Sequence, residues 1–140
     1  MPTITIDRVI DPADEDRDAI LQPILAYNLS KAGEENYKKL ALFLRDEHGT
    51  VQGGLWAKRY YDWVFVDLLF VPEDLRGQDM GTDLLGQTEN WARSEGCVGV
   101  WLDTFAFQAP GFYLKRGYTV FGELPNYPKP FSRFFFSKVF

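Results

Sequence analysis

Val71-Pro72-Glu73-Asp74-Leu75-Arg76-Gly77-Gln78-Asp79-Met80-Gly81 joins two segments of opposite character. Upstream, Trp63-Val64-Phe65-Val66-Asp67-Leu68-Leu69-Phe70-Val71 is β-branched, aromatic and aliphatic, the composition of a buried strand, and Pro72 removes a ladder donor and ends it. Downstream, Leu84, Leu85, Thr88, Trp91 and Ala92 recur at helical spacing until Gly96 offers a stop. Strand, glycine-bearing turn and helix in that order leave the helix's orphan N–H groups and positive dipole end at the turn, where an anion such as a phosphate is well received.

Working outward, the spacing predicts a strand over Thr3 to Val9, where apolar and polar residues alternate, and a helix opened by Asp11-Pro12 with Asp14 and Glu15 behind it. Pro23 is expected to break or kink that helix, with a second short piece ending near Gly33. Leu40 to Arg45 and Val51 to Arg59 flank the polar turn Asp46-Glu47-His48-Gly49-Thr50 and read as an antiparallel hairpin. After the central strand, loop and helix come a strand over Val98 to Phe105, a short helix over Ala109 to Arg116 ended by Gly117, and strands over Thr119 to Leu124 and Arg133 to Val139. With 140 residues, no internal repeat, and 46% hydrophobic and 16% aromatic content, residues 1–140 are expected to form one folded domain with one core.

Two separated motifs carry a family resemblance. The loop is similar to the pyrophosphate-binding loop of the GNAT N-acetyltransferase family, Gln/Arg-x-x-Gly-x-Gly/Ala, with Arg76 in its first position and Gly81 in its last. Ala109-Pro110-Gly111-Phe112-Tyr113-Leu114-Lys115-Arg116-Gly117-Tyr118 resembles the family's Ala-x-x-Phe-Tyr-x-x-x-Gly-Phe signature. The resemblance spans nearly the whole chain and implies an α/β fold: a mixed, mostly antiparallel central sheet flanked by helices, with splayed central strands at the cofactor site. It also implies acetyl-CoA as cosubstrate. Backbone groups of Leu69, Phe70 and Val71 would bind its pantetheine arm. N–H groups of the Gly77 to Thr82 turn, those of Gln78, Met80, Gly81 and Thr82 above all, would face its pyrophosphate, with Arg76 adding charge and Lys115 in reach of a phosphate. For Lys115 a solvated lysine at a helix end is the competing explanation.

Acetyl transfer to an amine needs a group that accepts the amine's proton and one that protonates the leaving thiolate. Tyr113 occupies the family's general-acid position; a phenol is protonated at neutral pH, and its alternative role is packing beneath the cofactor. Asp67 interrupts an apolar strand where relatives often carry glutamate, so it is a candidate base with a pKa raised by apolar neighbours, or else a partner for an adjacent strand. Asp103 is a weaker candidate of the same kind. Two positions depart from the family pattern. Asp79 stands where the middle loop glycine belongs and adds negative charge beside a negative ligand, unless it turns to solvent or pairs with Arg76. Ala106 stands where many members place an asparagine, with Gln108 close enough to replace it.

Composition narrows the partners. A net charge of −5 disfavours nucleic acid and mildly favours cationic small substrates. No apolar run reaches membrane-spanning length, the start lacks a basic and apolar leader pattern, and a cytoplasmic setting without membrane attachment is expected. Cys97 alone permits no intrachain disulfide, and with only His48 as companion no structural metal site is expected; after the helix stop Gly96 it reads as structural rather than nucleophilic. Trp56, Tyr60, Tyr61 and Trp63 could hold a cationic or ring-bearing amine, or form core or a dimer face. The proline-rich stretch Pro125 to Phe131 is rigid enough to border a pocket. Consecutive Phe134, Phe135 and Phe136 should place apolar rings on both faces of one strand, which a homodimer would cover. The expectation is an acetyl-CoA-dependent N-acetyltransferase acting by direct attack of a small-molecule primary amine. Its rivals are a non-catalytic acyl-CoA sensor of the same fold and an acetyltransferase for protein N-termini or lysines.

Overall fold

The computed structural model describes residues 2–140. They group into two compact units, one ending at Glu35 and one spanning Asn36–Phe140. In the first, a 3-10 turn over Asp14–Arg17 feeds α1, Asp18–Ala32. The acidic opening works as its composition suggests, because an Asp16 carboxylate oxygen accepts the Ala13 N–H at 3.0 Å.

Two sequence expectations fail in this unit. Thr3 to Val9 forms no strand, and Ile4 and Ile6 are exposed. Alternation records which side chains could share a face, but a strand also needs a neighbour for its backbone groups. Nor does Pro23 break the helix: α1 runs through it. Proline there deletes one backbone bond, while Ile20 with Ile24 and Leu21 with Leu25 keep their i, i+4 spacing across it and Gly33, at φ 78°, closes the helix by donating to the Leu29 carbonyl.

The second unit is built on six strands: β1 Lys38–Arg45, β2 Val51–Tyr60, β3 Trp63–Phe70, β4 Gly99–Phe105, β5 Thr119–Leu124 and β6 Arg133–Val139. Their order is β1-β2-β3-β4-β6-β5, and only β3 and β4 run parallel. This is the mixed, mostly antiparallel α/β sheet expected. The β1–β2 turn is tied by Asp46, whose Oδ1 accepts the N–H groups of His48 at 2.8 Å and Thr50 at 3.0 Å.

The parallel pair requires a crossover, which α2, Met80–Ser94, supplies. Its buried stripe of Leu84, Leu85, Thr88, Glu89 and Ala92 packs into a core with Leu55, Ala57, Val64, Val66, Val100, Leu102 and Phe136. Beneath lies a polar network at low exposure: Tyr118 donates to Glu89 Oε2 at 2.9 Å, and Lys138 Nζ donates to Glu89 Oε1 at 2.9 Å and to the Arg116 carbonyl at 3.0 Å. It ties β6 and α2 to the end of α3, Pro110–Lys115. Alternation in β6 holds as expected: Phe134 and Phe136 join the core side, while Phe135 meets Phe121 on the other face. No helix among the described residues is long and apolar enough to cross a membrane.

Candidate active site

Two local irregularities open a cavity of about 960 Å³ along the centre of the sheet. The first is where the parallel pairing stops. Trp63 to Val66 pair with Gly99 to Leu102, but β3 continues to Phe70 and β4 to Phe105 without touching. The second is a bulge against β2: Ala57 pairs with Val66 and Trp56 with Leu68, leaving Asp67 as the extra residue. Leu68, Leu69 and Phe70 therefore bond to β2 on one side and offer free backbone groups on the other, the edge expected to hold an extended arm.

Past Val71 the chain turns through a short 3-10 segment, Glu73–Leu75, into α2. Arg76 steadies this turn, since its Nε donates to the Val71 carbonyl at 3.0 Å rather than to Asp79. Gly77 and Asp79 both take left-handed backbone, at φ 83° and 61°. The first helical bond runs from Asp83 N–H to the Asp79 carbonyl, and the Asp79 side chain caps nothing. Met80, Gly81 and Thr82 thus present their N–H groups without helical acceptors, at the positive end of a 15-residue helix.

Of the residues the sequence points to, Asp67, Leu69, Phe70, Val71, Arg76, Gly77, Asp79, Met80, Gly81, Thr82 and Tyr113 line this one cavity, as do Asp103 and Gln108. Gln78, Lys115 and Ala106 do not. Lys115 is replaced by its neighbour Arg116, which the sequence reading passed over. Helix geometry explains the exchange. Arg116 lies four residues after Phe112, on the same face, whereas Lys115 lies two after Tyr113 and points away. Arg116 packs its guanidinium 4.6 Å from the Phe112 ring centre and donates to Thr82 Oγ1 from Nε at 2.9 Å and Nη2 at 2.6 Å. A Cβ at Gly81 would stand 3.3 Å from that same ring, so glycine allows the start of α2 and α3 to close together.

Tyr113 is 8% exposed, among Phe112, Tyr118 and Phe136. Burial, then the charge of Asp103, pushes its phenol up to about 12, so it holds its proton firmly. Asp67 departs from expectation: as the bulge residue it is exposed rather than enclosed by apolar neighbours, and it bonds to no adjacent strand. Asp103 is the more enclosed carboxylate. Both Nε (2.9 Å) and Nη2 of Arg133 donate to its Oδ1, and Arg133 is held in turn by the rings of Tyr127 and Phe105, 4.6 and 5.0 Å away. Gln108, the proposed substitute for the family's asparagine, is engaged through Oε1 with Thr104 Oγ1 at 2.9 Å and Phe105 N–H at 2.8 Å. Burial pushes the Cys97 thiol up, away from the thiolate a nucleophile requires, and Cys97 is no part of the cavity lining.

The aromatic residues nominated for an amine, Trp56, Tyr60, Tyr61 and Trp63, are also absent from the lining; Phe105, the last residue of β4, and Phe107, just beyond it, line the cavity instead. An extended ligand with phosphates at one end and a reacting group at the other fits this layout. Free strand edge, helix N–H groups and a protonated phenol in one cleft place the chain among α/β group-transfer enzymes.

Comparison with known proteins carries this further. The acetyltransferase (GNAT) family matches residues 10–118, and the chain belongs to that family of acyltransferase enzymes. An acetyltransferase of Agrobacterium fabrum is 39% identical over 115 residues, covering 81% of this chain and 84% of that one. A blasticidin-S acetyltransferase of Streptomyces morookaense is 40% identical over 89 residues, covering 63% and 65%. The crystal structure of an acetyltransferase from Bacillus cereus superposes with a TM-score of 0.85 at 30% identity, covering 96% of this chain and 98% of its own.

Proposed function

We propose that the protein is an acetyl-CoA-dependent N-acetyltransferase that moves an acetyl group to a primary amine of a small molecule by direct attack. The observation that carries the reading is the union, in one cleft, of the unpaired edge Leu68 to Phe70, the free N–H groups of Met80, Gly81 and Thr82, and the protonated Tyr113. Acetyl-CoA fits these residues. Its pantetheine amides match an unsatisfied strand edge, and its phosphates match a helix N-terminus flanked by Arg76 and Arg116. When bound, it supplies the acetyl group as a thioester.

The chain's own groups then manage two protons. The amine must be neutral to attack, and the new carbon–nitrogen bond forms as the carbon–sulfur bond breaks. Asp103 and Asp67, on adjacent strands just beyond the last paired residues, offer carboxylates for the amine's proton, directly or through water. Tyr113 donates its phenolic proton to the departing thiolate. Burial keeps the resting phenol protonated at neutral pH, and solvent returns the proton after each turnover. A single buried cysteine suits a cytoplasmic setting, and the paired Phe121 and Phe135 rings, 6.2 Å apart away from the core, suit a homodimer contact.

The test is calorimetric titration with acetyl-CoA, followed by thiol release in the presence of primary amines. Micromolar binding with amine-dependent thiol release is expected. A second reading, a sensor that binds acyl-CoA without turnover, draws on Asp79. Binding without thiol release towards any amine would favour it.

A further inference from the structure

Resting on the transferase reading, we infer that the acceptor end of the cleft selects a cationic amine carried on a flat unsaturated ring, with Asp103 receiving the ammonium group and Phe107 the ring face. Asp103 follows Leu102, the last β4 residue paired with β3, so its carboxylate stands where the split begins. Nε and Nη2 of Arg133 both donate to Oδ1. No hydrogen bond among the described residues ends on Oδ2, which leaves it for a ligand, while Arg133 packs against the rings of Phe105 and Tyr127. Arg133 neutralises one carboxylate, and Asp67, at the next position of the neighbouring strand, keeps this end of the cleft negative. The arginines that suit phosphate belong to the far end: Val71, where Arg76 is anchored, lies about 13 Å along β3 from Asp67 at strand spacing.

Phe107 supplies the second half of the selection. It lines the cleft with 53% of its surface exposed, so one side of the ring is open to a ligand. Phe105 stacks on one face, with centroids 5.2 Å apart and planes within 6°, and Phe131 meets it edge-on at 5.0 Å. A flat ring laid on the open face extends the stack that Phe105 already makes with Phe107. A puckered ring of equal size gains burial there but no stacking.

The experiment uses two amines that differ only in flatness, 2-phenylethylamine and 2-cyclohexylethylamine, with the wild type and the Phe107→Leu variant, reading kcat/KM from thiol release. Since Phe107 is more than half exposed, leucine leaves the core untouched; acetyl-CoA affinity, measured by calorimetry, checks the fold. The wild type is expected to prefer the phenyl compound by roughly five- to tenfold, the worth of one good ring pair, and Phe107→Leu to bring the two to parity. Asp103→Asn is expected to lower kcat/KM for both amines by the same factor, tenfold or more, and leave their ratio unchanged. Turnover of both amines at equal kcat/KM by the wild type, or a preference that survives Phe107→Leu, overturns the inference while leaving the transferase reading intact. No transfer to these or other primary amines by protein that binds acetyl-CoA overturns both.

Discussion

Asp79→Gly is the sharpest probe of the loop. Asp79 holds φ 61°, a region where an L-residue costs roughly 1–2 kcal/mol and glycine nothing, with aspartate at the low end of that range. It makes no cap bond, so the loss on substitution is confined to its charge at the helix N-terminus, about 0.5 kcal/mol at an exposed site. These effects nearly cancel, and thermal stability without ligand should change by less than about 1 kcal/mol, a few degrees in Tm. Affinity should respond differently. A carboxylate about 4 Å from a phosphate oxygen in water-like surroundings costs about 1 kcal/mol, and Asp79 is exposed, which fixes the low-cost end of the scale. Calorimetric titration of acetyl-CoA should therefore give a Kd about five- to tenfold lower for the glycine variant at low salt. The advantage should shrink by more than half at 0.5 M salt, where screening removes exposed repulsion. Equal or weaker binding by Asp79→Gly at low salt would refute the reasoning, because it would place Asp79 away from the phosphates or make it a contributor to binding.

Tyr113→Phe should lower kcat by a hundredfold or more with Kd for acetyl-CoA unchanged within about twofold, in a paired thiol-release and calorimetry experiment. The same phenol makes stability depend on alkaline pH. It ionises near 10 in the unfolded chain and at about 12 when folded, so its contribution is complete below pH 10 and is lost between pH 10 and 12. That loss amounts to about 3 kcal/mol in denaturant melts and should be missing from Tyr113→Phe. Tyr118, pushed up still further by burial and Glu89, adds to the alkaline loss in the same direction. Arg116→Ala should weaken acetyl-CoA binding about tenfold and raise KM, whereas Lys115→Ala should leave both within about twofold. Glu89→Ala strips the Tyr118 hydroxyl and the Lys138 ammonium of a shared acceptor and should cost about 3 kcal/mol in urea melts.

The sequence made the elements of the sheet legible because each strand carries a plain signal. Trp63 to Phe70 is β-branched, aromatic and aliphatic, a strand composition, although only Val64 and Val66 are buried and Leu68 and Phe70 lie exposed along the cleft; Asp46 to Thr50 has turn chemistry, and Pro72 and Gly96 punctuate the crossover. What failed were features set by something other than local pattern. Thr3 to Val9 alternates but has no hydrogen-bonding neighbour, and α1 runs on through Pro23, which removes only its own backbone donor. In the site, positions defined by backbone were readable and those defined by a side chain's direction were not. Lys115 ends a six-residue helix and Arg116 caps it, and the direction each side chain takes there decides which one reaches Thr82. Phe107 and Arg133 were out of reach for the same reason: their meeting through Phe105 depends on β6 lying beside β4, where Phe105 pairs with Arg133, 28 residues on.

The bulge at Asp67 connects these observations into one cause. An extra residue in β3 shifts its pleat against β2, so beyond that point the strand bends and its hydrogen bonds to β4 end at Val66. Had β3 stayed regular, its edge would be consumed by β4, and neither a binding edge nor a gap between carboxylates would exist. Removing the extra residue is then more than a local change. Deleting Asp67 should restore regular pairing, close the cleft and abolish acetyl-CoA binding, whereas Asp67→Asn, which keeps the bulge and loses only the charge, should bind acetyl-CoA as the wild type does. Calorimetry on the two variants separates geometry from charge. A deletion variant that is folded by circular dichroism and still binds would show that the split is imposed by β4 and the α3 side of the cleft, and not by the bulge.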